Sequence, residues 1–320
     1  MGSDPFEVLR RLAGDPVPTD AERQRARARL REVIGAERTR SRRRWPVPVA
    51  VAAALVVAVA AALVVVSRPN PVEAALSEIA HAARLAAPQE VPEGSFLYTR
   101  SEEISAHFRP GDELGLADEW VLLTPIVRQV WRHGDFEQQA ITTNTPIFFD
   151  PQVEAAYYAH GLDKIDHIGE TVTRQLTGVT NELGDIDWPT DPRQLRGALE
   201  AYVRQGAMNQ PIDIEVFRVA ADLLTETDPG PGVRAALMEV FAQLPVTLVD
   251  QASDGAVTLA VAYNQPPQLQ YTITLDSLGH LIAETQTFLE AGFGVPAGTQ
   301  VLDITYTVPT IVDNLYVTTP

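Results

Sequence analysis

The sequence predicts an α+β domain, an antiparallel sheet with helices packed on one face, preceded by one transmembrane helix and a short helical cytoplasmic tail. Three observations predict it. First, Pro46–Val66 runs for 21 residues without a charged or polar side chain. At about 1.5 Å per residue, a helix of that length spans roughly 30 Å, the thickness of a bilayer's hydrocarbon core. Second, formal charge reverses across this stretch. Residues 1–45 hold twelve Arg and seven acidic residues, a net +5, which leaves −22 for the rest of a chain whose total is −17. Third, the remainder reads as a helix, then strands, then a helical block, then strands. That segregation is the pattern of helices laid on an antiparallel sheet. The boundaries follow: a basic helical segment 1–45, a span 46–66 and an α+β domain 67–320.

The tail shows two short amphipathic helices. Asp4-Pro5-Phe6-Glu7 and Thr19-Asp20-Ala21-Glu22 each carry a cap with an acid three residues on. The second helix sets Ala26, Leu30, Val33 and Ile34 on one side, an apolar stripe too small to build its own core. Arg42, Arg43, Arg44 and Trp45 form the membrane anchor, whereas only Arg68 closely follows the span. The positive-inside rule then places the N-terminus in the cytoplasm and residues 67–320 outside, on a single-pass protein of the cell membrane. A basic cluster abutting a span is a topology signal, which argues against nucleic-acid binding. A signal-peptide core is shorter and its basic region only a few residues, so the span reads as an uncleaved signal anchor. The chain has no Cys, so the exported domain holds together without disulfides. Its single lysine, Lys164, and heavy use of Arg, Ala, Val and Pro suggest a high-GC bacterial genome.

Beyond the span, Pro71 opens a helix to about Ala87 with Leu76, Ile79, Ala80 and Ala83 on its apolar face. Strand-like runs follow at Ser95–Phe108, Glu119–His133 and Phe136–Thr143, with Gly134-Asp135 as a hairpin turn. Thr145–Pro192 reads as a long excursion, a lid or surface insertion containing a short helix near Asp150–His160. Three helices come next. The first starts at the cap Asp191-Pro192, the second covers Pro211–Thr227 and the third Pro231–Leu244. The closing runs Val246–Asp250, Ala256–Tyr263, Leu269–Leu275 and His280–Leu289 suit a meander with turns at Asp254-Gly255 and Ser277-Leu278-Gly279, and Gln300–Val308 supplies a last strand.

Several short motifs coincide. They are Arg42-Arg43-Arg44-Trp45 before an Ala/Val-rich span, and Gly94-Ser95-Phe96-Leu97-Tyr98-Thr99 after the first outer helix. Further on come Trp188-Pro189-Thr190-Asp191-Pro192 ahead of the helical block, Arg234-Ala235-Ala236-Leu237 with Leu244-Pro245-Val246, and Thr274-Leu275-Asp276 with Gly279–Glu284. Together they resemble a family of actinobacterial single-pass membrane proteins found beside genes for extracytoplasmic-function sigma factors. The outer domain also resembles the curved half-barrel of the periplasmic lipoprotein carrier and of the sensor that regulates the envelope-stress sigma factor. The resemblance implies a curved sheet and envelope sensing or ligand binding, linked to a cytoplasmic sigma factor. The alternative it implies is a lipid or hydrophobic-ligand binding module with no signalling role. The tail departs from zinc-type anti-sigma factors, having no Cys and no His before His81.

The residues give no reason to expect an enzyme. His160, Asp163, Asp166 and His167 are the one metal-like cluster, but on a helix they splay rather than converge. No G-x-S-x-G elbow occurs, and pairs such as Glu102-Glu103 are expected in so acidic a domain. No cofactor is expected. The strand aromatics Phe96, Tyr98, Trp120, Trp131, Tyr271 and Phe288 read chiefly as core, and as candidate lining of an apolar cavity if the sheet is concave.

Overall fold

One sheet is assembled from two antiparallel meanders that meet edge to edge. A computed structural model describes residues 70–109, 111–114, 120–134, 136–177, 183–184, 186–206, 210–263, 268–292 and 295–315. The tail, the anchor residues Arg42–Trp45 and the expected span 46–66 lie outside the described residues. Among the described residues no helix is long and apolar enough to cross a membrane.

Helix α1 (Pro71–Leu85) leads into β1 (Phe96–Arg109), β2 (Trp120–His133), β3 (Phe136–Thr143), β4 (Ile147–Phe148), α2 (Pro151–Ala159), α3 (Leu162–Ile165) and β5 (Thr171–Thr177). The helical block is α4 (Pro192–Val203), α5 (Ile212–Glu226) and α6 (Pro231–Phe241). Then come β6 (Thr247–Gln251), β7 (Val257–Tyr263), β8 (Leu269–Leu275), β9 (Leu281–Phe288), β10 (Gln300–Tyr306) and β11 (Thr310–Val312). The fold is α+β, and the eleven-stranded sheet runs β5-β3-β2-β1-β10-β9-β8-β7-β6, with β11 beside β1 and β4 beside β2. The seam is the antiparallel β1–β10 pair, Ser101–Ser105 against Leu302–Tyr306.

Caps and turns set the element ends. Asp191 accepts from the N–H groups of Arg193 (3.1 Å) and Gln194 (3.0 Å) ahead of Pro192, as its sequence predicts. Asp150 does the same for α2 through Gln152 N–H (2.7 Å). The β8–β9 turn needs its glycine twice over. Gly279 has φ +80, and a Cβ there would lie 3.4 Å from Ile79 Cγ2 on α1 and 3.5 Å from Met238 on α6.

Registers assign the faces. Thr99 pairs with Val130, Ser101 with Arg128 and with Tyr306, Ile304 with Glu284, and Glu284 with Ile273. Side chains alternate along a strand. These residues therefore share one inner face, and Tyr98 and Trp131 point the other way. The main core joins α1, α4, α5 and α6 to the inner face of β7–β9. Phe217 sits at its centre, fully buried, edge-on to Phe241 (5.2 Å between ring centroids) and Tyr271 (5.7 Å).

The segment 145–192 differs from the expected lid or insertion. Its β5 pairs with β3 and extends the sheet, and α2 packs Tyr157 on Trp120. Tyr157 Oη donates to Asp166 (2.7 Å). Arg109 reaches the same carboxylate (2.7 Å) while lying over the Trp120 ring. These contacts fasten α2 and α3 to β1 and β2.

Candidate ligand cleft

The fully buried part of the main helical core stops at β9, Tyr306 of β10 packs against its edge, and the inner face of β1 and β2 lies outside it. A cleft of about 180 Å³ opens there, between the seam and the C-terminal end of α5. The sheet wall presents Thr99, Ser101, Arg128, Val130, Arg132, Glu284 and Tyr306. The helix wall presents Asp222, Thr225, Glu226 and Asp228. His280 closes one side from the β8–β9 turn.

Local sequence puts these groups in place. Arg128, Val130 and Arg132 occupy alternate positions of β2, so all three face inward. On α5 the core side is Phe217, Ala220, Ala221 and Leu224, and Asp222 falls at its edge, four residues after Arg218. Asp276 accepts from the backbone of Leu278 and His280 (2.8 Å each) and holds His280 Nδ1 at 2.8 Å, which fixes the ring's orientation.

Several of the charges are compensated within the fold. Arg132 Nε donates to Glu137 (2.7 Å). Asp228 faces Arg234 of α6 at 3.4 Å, and Arg234 also donates to the Pro229 carbonyl (3.0 Å). Glu284 accepts from the hydroxyls of both Tyr271 and Tyr306. Asp222 lies 3.6 Å from Arg218. Arg128 has no ion pair among the described residues, and its Nε is buried without an acceptor.

Burial dominates the electrostatics. It pushes the Asp222 carboxyl up to about 7, with Arg218 opposing and Glu284, Glu226 and Glu215 adding to the rise. Burial also raises Glu284 against the pull of its two tyrosine donors, and raises Asp228 against Arg234. Tyr271 and Tyr306 are held protonated, first by burial and then by the Glu284 carboxylate beside them. The cleft is thus built around reluctant acids facing a guanidinium whose Nε has no acceptor.

The six aromatics singled out from the sequence are dispersed. Tyr98 and Trp131 pack together with Phe96 on the outer face (Tyr98–Trp131 centroids 5.3 Å apart). Trp120 joins Tyr157, and Phe288 joins Val121, Val295 and Val301. Tyr271 belongs to the main core. None of the six lines this cleft. His160 Nδ1 meets the Ala156 carbonyl, His167 pairs with Glu170, and Asp166 serves Tyr157 and Arg109. Among the described residues no three His, Asp or Glu side chains are arranged to hold a metal. Sequence reasoning missed Arg128, Asp222 and Glu284. The available signal was charge at inward positions, as in Ile126-x-Arg128-x-Val130-x-Arg132. No family model, curated protein or solved structure matches the chain.

Proposed function

We propose that the chain is a single-pass membrane sensor, not an enzyme. Its domain 67–320 faces outward and binds a small polar ligand in the cleft, and its basic segment 1–45 contacts a cytoplasmic regulator, a sigma factor being the preferred candidate. The observation that carries this reading is the cleft itself: a recess with charged walls of both signs, at the seam of two meanders, in the domain on the acidic side of the apolar stretch. The charge reversal across 46–66 and the Arg42–Arg44 cluster support the orientation.

A carrier of lipid or another hydrophobic ligand has less support. The strand aromatics are engaged in packed clusters, and the cleft's walls are lined by Arg, Asp and Glu. A volume of about 180 Å³ is also small beside the roughly 300–1,000 Å³ of sites that enclose drug-sized molecules.

The test has two arms. Protease added to intact spheroplasts should digest residues 67–320 and spare an epitope fused before residue 45; the reverse pattern removes the topology. Replacing residues 1–36 with an unrelated sequence should abolish co-purification of a sigma factor with the full chain and the associated transcriptional response. An unchanged response leaves only a binding module.

A further inference from the structure

The cleft's charged groups differ in how fully the fold satisfies them. Arg132, Asp228, His280 and Glu284 each have a hydrogen-bonded or ionic partner within the fold. Two opposite charges are the least fully satisfied. Arg128 on the sheet wall has a buried Nε without an acceptor and, among the described residues, no ion pair within 4 Å, although its charge acts on the Glu137 carboxylate that Arg132 already holds. Asp222 on the helix wall has only Arg218, at 3.6 Å, and 36% of its side chain remains exposed.

From this arrangement, and resting on the reading of domain 67–320 as a binding domain, we propose that the cleft receives a small zwitterion of amino-acid size. Its carboxylate sits on Arg128 and its ammonium on Asp222. Each alternative chemistry leaves a fault. A simple anion would satisfy Arg128 but face Asp222, Glu226, Asp228 and Glu284 across the cleft. A simple cation would satisfy the acids but confront Arg128 and Arg132. An apolar ligand would strip water from both walls and pair with neither, at a cost of about 1–3 kcal/mol for each polar group left unsatisfied. A zwitterion compensates both walls at once. The guanidinium fork matches a carboxylate in geometry, and an ammonium offers three donors to Asp222, Thr225 and the wall beside them. The volume, about 180 Å³, suits a ligand of a few heavy atoms.

The experiment is calorimetric titration of the purified full chain in nanodiscs near neutral pH. The probes are the twenty amino acids and short ω-amino acids, with acetate and methylammonium as half-ligands and decanoate as an apolar control. At least one zwitterion is expected to bind, and Arg128→Gln and Asp222→Asn are each expected to weaken it by roughly tenfold or more. The half-ligands should bind far more weakly. Circular dichroism of both variants checks that they fold; Arg128→Lys, which keeps the charge, should retain part of the affinity. No binding by any zwitterion overturns the inference. So does acetate binding that survives Asp222→Asn, or decanoate binding that survives both substitutions, although either result leaves a binding domain in place. The sensor reading fails separately, through an unchanged response when residues 1–36 are replaced.

Discussion

Asp222 makes the stability of the domain fall as pH rises, in the opposite sense to an ion-paired carboxylate. Its carboxyl moves from 3.8 to about 7 on folding, chiefly because burial penalises the charge. Below about pH 4 it is protonated in both the folded and unfolded chain, and its contribution is fully present. Between about pH 4 and 7 the folded chain keeps a proton that the unfolded chain has released, so stability is lost progressively. Above about pH 7 the loss is complete. If the group were wholly shielded, that shift would amount to roughly 4 kcal/mol. Its side chain is 36% exposed, so water screens the charge and about 1–2 kcal/mol survives. The groups around it are Arg218, Glu215 and Glu226 on α5, Tyr263 and Tyr271 on β7 and β8, Glu284 on β9 and Tyr306 on β10. Asp222→Asn removes the titration and keeps the shape. Thermal unfolding of the full chain, followed by circular dichroism at about pH 5 and pH 8, measures the effect. At roughly 2–4 °C per kcal/mol for a domain of this size, the variant should exceed the parent by about 2–8 °C at the higher pH and by only about a third of that at the lower, where the folded carboxyl still holds its proton. Glu284 and Asp228, also raised by burial, leave a residual slope of the same sign in the variant. Equal losses between pH 5 and pH 8 in parent and variant would refute the assignment of the titration to Asp222.

Phe217→Ala should cost about 3–5 kcal/mol, because the ring is fully buried between Phe241 and Tyr271 and ties α5 to α6 and β8; urea unfolding gives the value. Asp191→Ala should cost about 1 kcal/mol by leaving the Arg193 and Gln194 N–H groups without their cap, while Asp191→Ser should restore most of it. Asp166→Ala should release α2 and α3 by removing the acceptor shared by Tyr157 and Arg109. Limited proteolysis should then cut within residues 150–170 well before the main core opens, and simultaneous loss of both would contradict the contact's local role.

Legibility followed the range of the interactions. The β6–β9 meander was readable because its strands alternate and two of its turns carry their own chemistry, Asp254-Gly255 and Ser277-Leu278-Gly279. The helices were readable from local caps and prolines, Asp191-Pro192 above all. β5 was not, because Thr171–Thr177 is a short, polar edge strand recognised only through its pairing with β3. The three-residue β11 was missed for the same reason. The order in which strands meet was hidden as well, since β1 and β10 lie about 200 residues apart and no local signal joins them. The cleft inherits that difficulty. It draws on β2, α5, β9 and β10, and each contributes only one or two charged residues to an otherwise ordinary pattern.

That non-local construction bears on how a bound ligand would influence the rest of the chain. The helix wall does not end at Asp228. Asp228 faces Arg234, which lies within α6, and α6 packs on α1. Arg84 of α1 pairs with Glu239 of α6, and Ile79 and Met238 crowd together over Gly279 in the turn that also positions His280 at the cleft. Helix α1 in turn begins five residues after Val66, the last residue of the apolar stretch. Packed contacts alone do not establish coupling; two arrangements of a shared element must differ in their affinity for the ligand. Any such change would be carried through the α5–α6 junction, where the acids of the cleft and the helix packed against α1 are covalently continuous. A zwitterion that stabilises ionised Asp222 would also relieve the burial penalty concentrated there. The expected signature is protection of α6 and α1 amides from hydrogen exchange on adding the ligand, with no change in α2 and α3. Protection confined to residues lining the cleft would show binding without transmission and would return the protein to a simple binding role.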